Sequence, residues 1–570
     1  MMNTARIRKL LAGLYGQDAG ATAFNRLSQI LENYNVRLST TSGQGLDQRD
    51  TFLITYPDQL QRDDRRPLVV LADFCRAHLK DTVTNIHILP FYPWTSDDGF
   101  SVVDYREVDP RYGDWNDIQR IGQDFRLMFD AVINHASVKN AWFQSMLAGD
   151  AHYRDYFITP SEADDLSKVV RPRALPLLTT FQTTDGDKKI WTTFSADQVD
   201  LNYAQPNVLL EILDVLLFYV SHGAEFLRLD AIAYLWKEAG TTCIHLPQTH
   251  AIIQLIRAVL DEVAPYIMLI TETNVPHADN ISYFGDGKNE AHMVYNFSLP
   301  PLVLHAFQTG SAETLSHWAD DLEIPSPEVT FFNFLASHDG IGLNPLRGIL
   351  AEDEIDAVVE RIRSHGGLVS LKNEADGTPR PYELNINYFD ALNDPYSNEL
   401  LDTQVDRFIT AHAILLAMRG APAIYFHSLV GSRSWREEAL ASGHNRTINR
   451  RKLEMAELND LLSDPSTLPA RVFQRLGMLL KIRRSQPAFH PYGSQEVIQD
   501  AAQVFCLLRT SPDGKDKALC LQNVSDQEAR LDHLQSFSHF TYDLIENKIL
   551  DVSALSLKSY QTMWLVEPED

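Results

Sequence analysis

Cysteine is scarce: Cys75, Cys243, Cys506 and Cys520 lie far apart and show no CxxC spacing. That pattern argues against a zinc site or a disulfide framework and for reduced thiols. An excess of positive charge is absent as well. Against 76 Asp and Glu the chain sets 50 Lys and Arg, for a net charge of −26 over 570 residues. A polyanionic partner such as nucleic acid, which needs clustered cations to displace counterions, is therefore excluded. No apolar stretch is long enough to span a bilayer, and the opening MMNTARIRKLLAGLYG lacks the apolar core and cleavage site of a secretory signal. The expectation is an acidic protein of the cytoplasm without membrane contacts. Internal repeats and low-complexity tracts are also missing, and no exposed apolar stripe can be assigned, which leaves the oligomeric state open.

What is present is an ordinary globular composition, 44% hydrophobic and 22% charged, in a chain too long for one core. Apolar positions at helical spacing from about Ala5 to Tyr34 read as a helical lead-in. Eight short apolar runs follow: Phe52 to Thr55, Ile86 to Phe91, Leu127 to Ile133, Phe226 to Leu229, Ile267 to Thr271, Met293 to Phe297, Phe331 to Leu335 and Ala423 to Phe426. Helical patterns such as Val208 to His222 and Thr249 to Val263 lie between them, and strands alternating with helices fit an α/β fold, a (β/α)8 TIM barrel. A domain of about 136–203 is expected as an insertion after the third strand, and a second irregular stretch near 342–398 precedes the last. The barrel then comprises 1–135 and 204–489, closed by a helix from Arg471 to Arg484. Beyond it, 490–570 turns to short alternating runs separated by turn residues, read as a C-terminal antiparallel β domain.

Three of the apolar runs end in a carboxylate: FLRLD at Asp230, MLITE at Glu272 and FFNFLASHD at Asp339. In a barrel such strand ends converge on one pocket. DAVINH (130–135), RLDAIAY (228–234), ITETN (270–274) and ASHD (336–339) resemble, in order and spacing, the four signature regions of the α-amylase superfamily. DDGFSVVDY (97–105), RPR (171–173), FSADQVDLN (194–202) and HNRTINR (444–450) resemble the branch containing sucrose phosphorylase. Within that branch, SHDGIGLNPLRG and ITETNVPHADNISYFG resemble the glucosylglycerate phosphorylases.

The resemblance implies retaining transfer of glucose from an α-glucoside to phosphate, giving α-glucose 1-phosphate, with inorganic phosphate as co-substrate and no cofactor. It makes Asp230 the nucleophile, Glu272 the general acid/base and Asp339 the group that binds and distorts the sugar. Strand periodicity points Arg228 to the same face as Asp230, where a cation favours the ionised aspartate. By the same resemblance His135 and His338 hydrogen-bond sugar hydroxyls, Asp97 and Arg446 hold the far edge of the ring, Phe100 and Phe194 supply apolar faces, and Gln198 joins the sugar site. Arg173, Tyr234 and Tyr382 match residues of the phosphate subsite. Glycerate would need a further cation, for which Arg380 is the candidate; a solvated loop arginine is the alternative. The covering loops are expected to move, with Gly366, Gly367 and Gly377 as hinges. Asn134 matches a calcium-binding position of many amylases, but no companion carboxylate cluster is evident and no metal is expected. Sucrose, sucrose 6-phosphate and glucosylglycerol are the alternative donors. A hydrolase or transglucosylase, and an inert sugar-binding barrel, are the more distant readings.

Overall fold

The eight apolar runs become eight strands: β1 (Phe52–Thr55), β2 (Asn85–Ile88), β3 (Arg126–Ala131), β4 (Ala224–Leu229), β5 (Met268–Thr271), β6 (Met293–Tyr295), β7 (Thr330–Phe334) and β8 (Ala421–Tyr425). In the computed structural model, which describes residues 2–38, 45–173, 175–373, 378–552 and 555–568, they form one closed barrel. Neighbours pair in parallel, and β8 meets β1 through Phe52 opposite Ala423. Almost every strand residue is buried, as expected of parallel strands covered on both faces. β3 and β6 stop two residues short of the apolar run. Ile133 N–H turns back to the Ala131 carbonyl at 3.0 Å, and Phe297 N–H to that of Tyr295 at 3.1 Å. These tight turns end the ladder and release the following side chains into the barrel mouth.

Inside the barrel the Phe52 ring meets Phe226 at 4.8 Å and Phe332 at 5.1 Å, edge to face. Their strands are not neighbours in the sheet, so the rings meet across the interior. Period two then carries Arg228 and Asp230 up the same inward face as Phe226.

The helical lead-in consists of two helices, Met2–Tyr15 and Gln17–Leu38. Gly16 breaks them with φ +79°, and a Cβ on Gly20 would lie 2.7 Å from the Leu11 carbonyl oxygen, so the two glycines permit the turn and the close crossing. Both pack on barrel helices. After β3, His135–Ser137 pairs with Gln198–Asp200, and a hairpin joins Leu178–Thr183 to Gly186–Trp191. After β7 come helix Glu352–Ser364 and a hairpin of Leu368–Asn373 with Pro379–Asn385, which Ile341–Gly342 joins as a third strand. Gly366 has φ +84°; Gly377 lies outside the described residues.

Helix Leu468–Ser485 leads to a six-stranded antiparallel sheet running from Ser494–Val497 to Thr562–Val566. Two buried arginines join these parts to the bottom of the barrel. Arg483 donates to the carbonyls of Gln48 at 2.7 Å and Asp50 at 3.2 Å before β1, of Leu416 and Gly420 before β8, and of Phe489 at 3.0 Å. Arg509 donates to Ala417 at 2.6 Å and His490 at 2.9 Å.

Candidate active site

The strand ends bring one guanidinium under three carboxyl groups. Arg228, fully buried on β4, donates through Nη1 to Asp230 Oδ1 at 2.7 Å and to Asp130 Oδ1, while Nη2 lies 3.8 Å from Glu272 Oε2. Asp130, at the end of β3, is also bonded by His87 Nε2 at 2.7 Å. Burial opposes charge on every member of this group. It works against the Arg228 cation, yet Asp130, Tyr295, Asp230 and Glu272 outweigh it, so the guanidinium stays charged.

Above it a cavity of about 160 Å³ opens at the C-terminal mouth of the barrel, lined by Asp230, Glu272, Asp339 and Asp97 among others. Burial keeps Asp230 raised above the usual carboxylate value even though the Arg228 contact opposes it. Glu272 is pushed up to about 7 by burial together with the charges of Asp230 and Asp339. It accepts from the Ala231 N–H at 3.0 Å, offered by a residue with φ +48°. With Arg228 nearer Asp230, the proton of the pair stays on Glu272. Asp339 goes the other way: burial is overcome by Arg446, whose Nη1 lies 2.5 Å from Oδ1, and by Arg450, and its carboxyl is held well below the ordinary value.

Asp97 is likewise held ionised, against burial, by Arg173, Arg446 and Arg450; Arg173 Nη2 lies 2.9 Å from it. Arg446 also meets Glu383 Oε1 at 2.9 Å, and Glu383 accepts from the Gly340 N–H at 2.8 Å beside Asp339. Both histidines are neutral. Burial lowers His338 to about 3 and lowers His135 as well. The His338 ring stacks on Phe100 at 4.7 Å, and its Nδ1 is buried with no hydrogen-bond partner among the described residues. His135 Nε2 and Gln198 Nε2 both meet the Phe100 carbonyl, at 2.8 and 3.0 Å. Phe194 sets its ring against His135 and Tyr234. A bulge delivers Tyr382: Ser370 faces Glu383 and Leu371 faces Pro381, so Tyr382 is the extra residue on its strand and turns toward the pocket.

Of the residues singled out in the sequence, Asp97, Phe100, His135, Arg173, Phe194, Gln198, Asp230, Tyr234, Glu272, His338, Asp339, Tyr382 and Arg446 line this one cavity, and Arg228 lies beneath it. Arg380 does not line it. Its guanidinium lies 3.3 Å from Glu352 at the exposed start of helix Glu352–Ser364. Sequence reading passed over Asn274, Asn344 and Lys372, which also line the pocket, and Glu383 and Arg450 behind it. Asn274, Asn344 and Arg450 sit inside motifs already quoted; Lys372 carries no local signal, since a hairpin register places it. No group of three or more His, Cys, Asp or Glu able to hold a metal occurs among the described residues. At Asn134 an ammonium is found instead: Lys237 Nζ donates to Asn134 Oδ1 at 2.7 Å and pairs with Asp200 at 2.6 Å.

A second, open cavity lies behind the first and shares Asp97, Arg173, Tyr382 and Arg446 with it. Those residues form the partition between the two.

Residues 78–340 match the alpha amylase catalytic domain. The chain is 47% identical to the glucosylglycerate phosphorylase of Spirochaeta thermophila, with 99% of each covered. It is 46% identical to that of Escherichia coli, over 98% of this chain and 99% of the relative. The sucrose phosphorylase of Agrobacterium vitis is 31% identical over 79% of this chain and 90% of its own. Among solved structures, sucrose 6F-phosphate phosphorylase from Thermoanaerobacter thermosaccharolyticum superposes with a TM-score of 0.72 at 26% identity, covering 85% of this chain and 95% of that one. With its barrel, its three strand-end carboxylates and these relatives, the chain belongs to the α-amylase superfamily, in the branch of the sucrose and glucosylglycerate phosphorylases.

Proposed function

We propose that this protein is a retaining glucoside phosphorylase acting on 2-O-α-D-glucosylglycerate, which it converts reversibly with phosphate to α-D-glucose 1-phosphate and D-glycerate. The observation that carries the donor is the identity of 46–47% over nearly the whole chain to relatives of that name, against 31% for a sucrose phosphorylase. The reaction runs as a double displacement. Asp230 attacks the anomeric carbon while Glu272, protonated, gives its proton to the glycosidic oxygen; glycerate leaves and a glucosyl ester remains on Asp230. A phosphate oxygen then attacks the same carbon, Glu272 takes its proton, and Asp230 is released. A retaining pair works at about 5–5.5 Å, and contact of both carboxyls with one guanidinium keeps Asp230 and Glu272 close.

Asp339, held ionised, grips the sugar and favours its distortion; His135 and His338, neutral, exchange hydrogen bonds with its hydroxyls. Asp97 and Arg446 hold the far edge, and Phe100, Phe194 and Gln198 shape the walls. Phosphate brings negative charge beside Glu272 and Asp339, so it needs a cation, and Arg173 with Tyr234 and Tyr382 supplies its subsite. No cofactor takes part in these steps. A cytoplasmic setting suits the reaction, since it draws on a phosphate pool. The test is glucose 1-phosphate release from glucosylglycerate, sucrose, sucrose 6-phosphate and glucosylglycerol in parallel with phosphate. Release from glucosylglycerate is expected; release only from another donor would reassign the substrate, and free glucose alone would make the protein a hydrolase.

A further inference from the structure

The two oxygens of the Glu272 carboxyl group stand in different surroundings. Oε2 accepts from the Ala231 N–H at 3.0 Å and faces the Arg228 guanidinium, whose Nη2 lies 3.8 Å away. An oxygen that accepts from one donor and faces a cation is the poorer seat for a proton, so the proton of the neutral acid belongs on Oε1.

A local exception in the backbone delivers that N–H. Up to the strand ends the chain keeps the ladder pattern: Asp230 N–H bonds the Ala131 carbonyl and Glu272 N–H the Leu229 carbonyl, each at 3.2 Å. Ala231 then turns left-handed, with φ +48° and ψ +31°, and opens the short helical turn Ile232–Tyr234. An alanine is disfavoured in that conformation, and the contact with Oε2 is what the conformation provides. Such outliers gather where a reaction needs a group held in one place.

Charge moves during the first half-reaction. A bond forms between an Asp230 oxygen and the anomeric carbon, the bond from that carbon to the glycosidic oxygen breaks, and that oxygen leaves with the electron pair and the Glu272 proton. Asp230 thereby loses its charge and Glu272 gains one. Arg228 donates to Asp230 Oδ1 at 2.7 Å and lies beside Glu272 Oε2, so one guanidinium faces the charge before and after.

Resting on the function proposed above, we propose that the Ala231 N–H and Arg228 form a cradle on Oε2 for the charge that Glu272 acquires as the aglycone leaves, with Ala231 a positioning residue for the acid. The cradle leaves Oε1 as the oxygen that meets the leaving group. Around Glu272 stand Arg228 and Asp230 at the end of β4, Asp339 after β7, and the phenols of Tyr234 and Tyr295. Of these only Arg228 is a cation, and the backbone N–H adds the second stabilising contact.

The test removes one hydrogen. Lactic acid placed at position 231 by cell-free synthesis turns the Ala231 amide into an ester, deleting the donor and keeping every side chain. Two donors are compared: glucosylglycerate, whose departing oxygen needs a proton, and α-glucosyl fluoride, whose fluoride leaves without one. The ester should lower kcat/KM for glucosylglycerate by about tenfold or more, the worth of a hydrogen bond to a charged group. Because the acid is weakened, the fall of that constant with rising pH should also move to higher pH, while the constant for the fluoride stays unchanged. Equal losses on both donors, no loss on either, or a fall that stays in place would overturn the proposal. If the ester chain does not fold, the wild type decides. Glucosyl-enzyme formed from the fluoride is left to react with water, which Glu272 must deprotonate. With the charge now cradled on Glu272, that rate should hold to pH values well below 7, whereas a loss setting in at about 7, where the acid of the free protein titrates, would overturn the proposal. Glu272→Gln tests the underlying reading separately: it should spare the fluoride and cost glucosylglycerate, and equal losses on both would defeat Glu272 as the acid.

Discussion

Glu272 and Asp339 are acids of one cavity, yet their surroundings drive them apart, and that divergence suits them to the different parts proposed for them. Glu272 is raised from 4.5 to about 7, with repulsion from Asp230 and Asp339 added to burial, so below that pH it carries the proton an acid must give. Ionisation as pH rises removes the acid. The kcat/KM for the glucosyl donor, which reports only the first half-reaction and is blind to the ionisation of phosphate, should therefore fall above about pH 7. Glu272→Gln should cost about 10²–10⁴-fold in that constant. The folded state binds this proton more tightly than the unfolded chain, so its stabilising contribution is present below 4.5 and lost as pH rises through 7. The same variant should accordingly raise the melting temperature more at pH 8 than at pH 5; an equal gain at both would refute a raised acid.

At the scale of the element, the sequence carried the barrel plainly because parallel strands buried on both faces are written as apolar runs. The carboxylates that end β4, β5 and the segment after β7 were visible for the same reason. The two-helix lead-in was blurred because one glycine with positive φ leaves the apolar spacing on either side intact. Lys372 was illegible because its direction depends on the pairing of two strands across a long connection, and Arg380, two residues before Tyr382, was expected beside it until the bulge put those two residues out of step. That hairpin also does a positioning job through Glu383, which ties Arg446 to the backbone N–H beside Asp339. Glu383→Gln should leave Arg446 on Asp339 alone and loosen both. We expect kcat to fall by about 10- to 100-fold with little change in the KM for phosphate; a loss confined to KM would place Glu383 in the phosphate subsite.

For the whole molecule, closure of the barrel is secured from outside it. Arg483 gathers backbone carbonyls from the entrances to β1 and β8, the seam where the first and last strands meet, and Arg509 reaches the Ala417 carbonyl before β8 from the C-terminal sheet. Arg483→Met would leave several buried carbonyls without a donor, at a cost of roughly 3 kcal/mol or more. Denaturant unfolding should show a midpoint well below wild type, partly restored in Arg483→Lys; an unchanged midpoint would mean the seam holds without it.

The charged partition behind the catalytic cavity bears on what shape of carbohydrate the protein can handle. A glucose ring seated over Asp230 would have its non-reducing edge against Asp97 and Arg446, where a longer saccharide would have to continue. A polymer threaded through the barrel mouth would meet ion pairs instead of an exit, so the molecule is built to uncap single terminal sugars, one per encounter, and to leave the interior of a long chain alone.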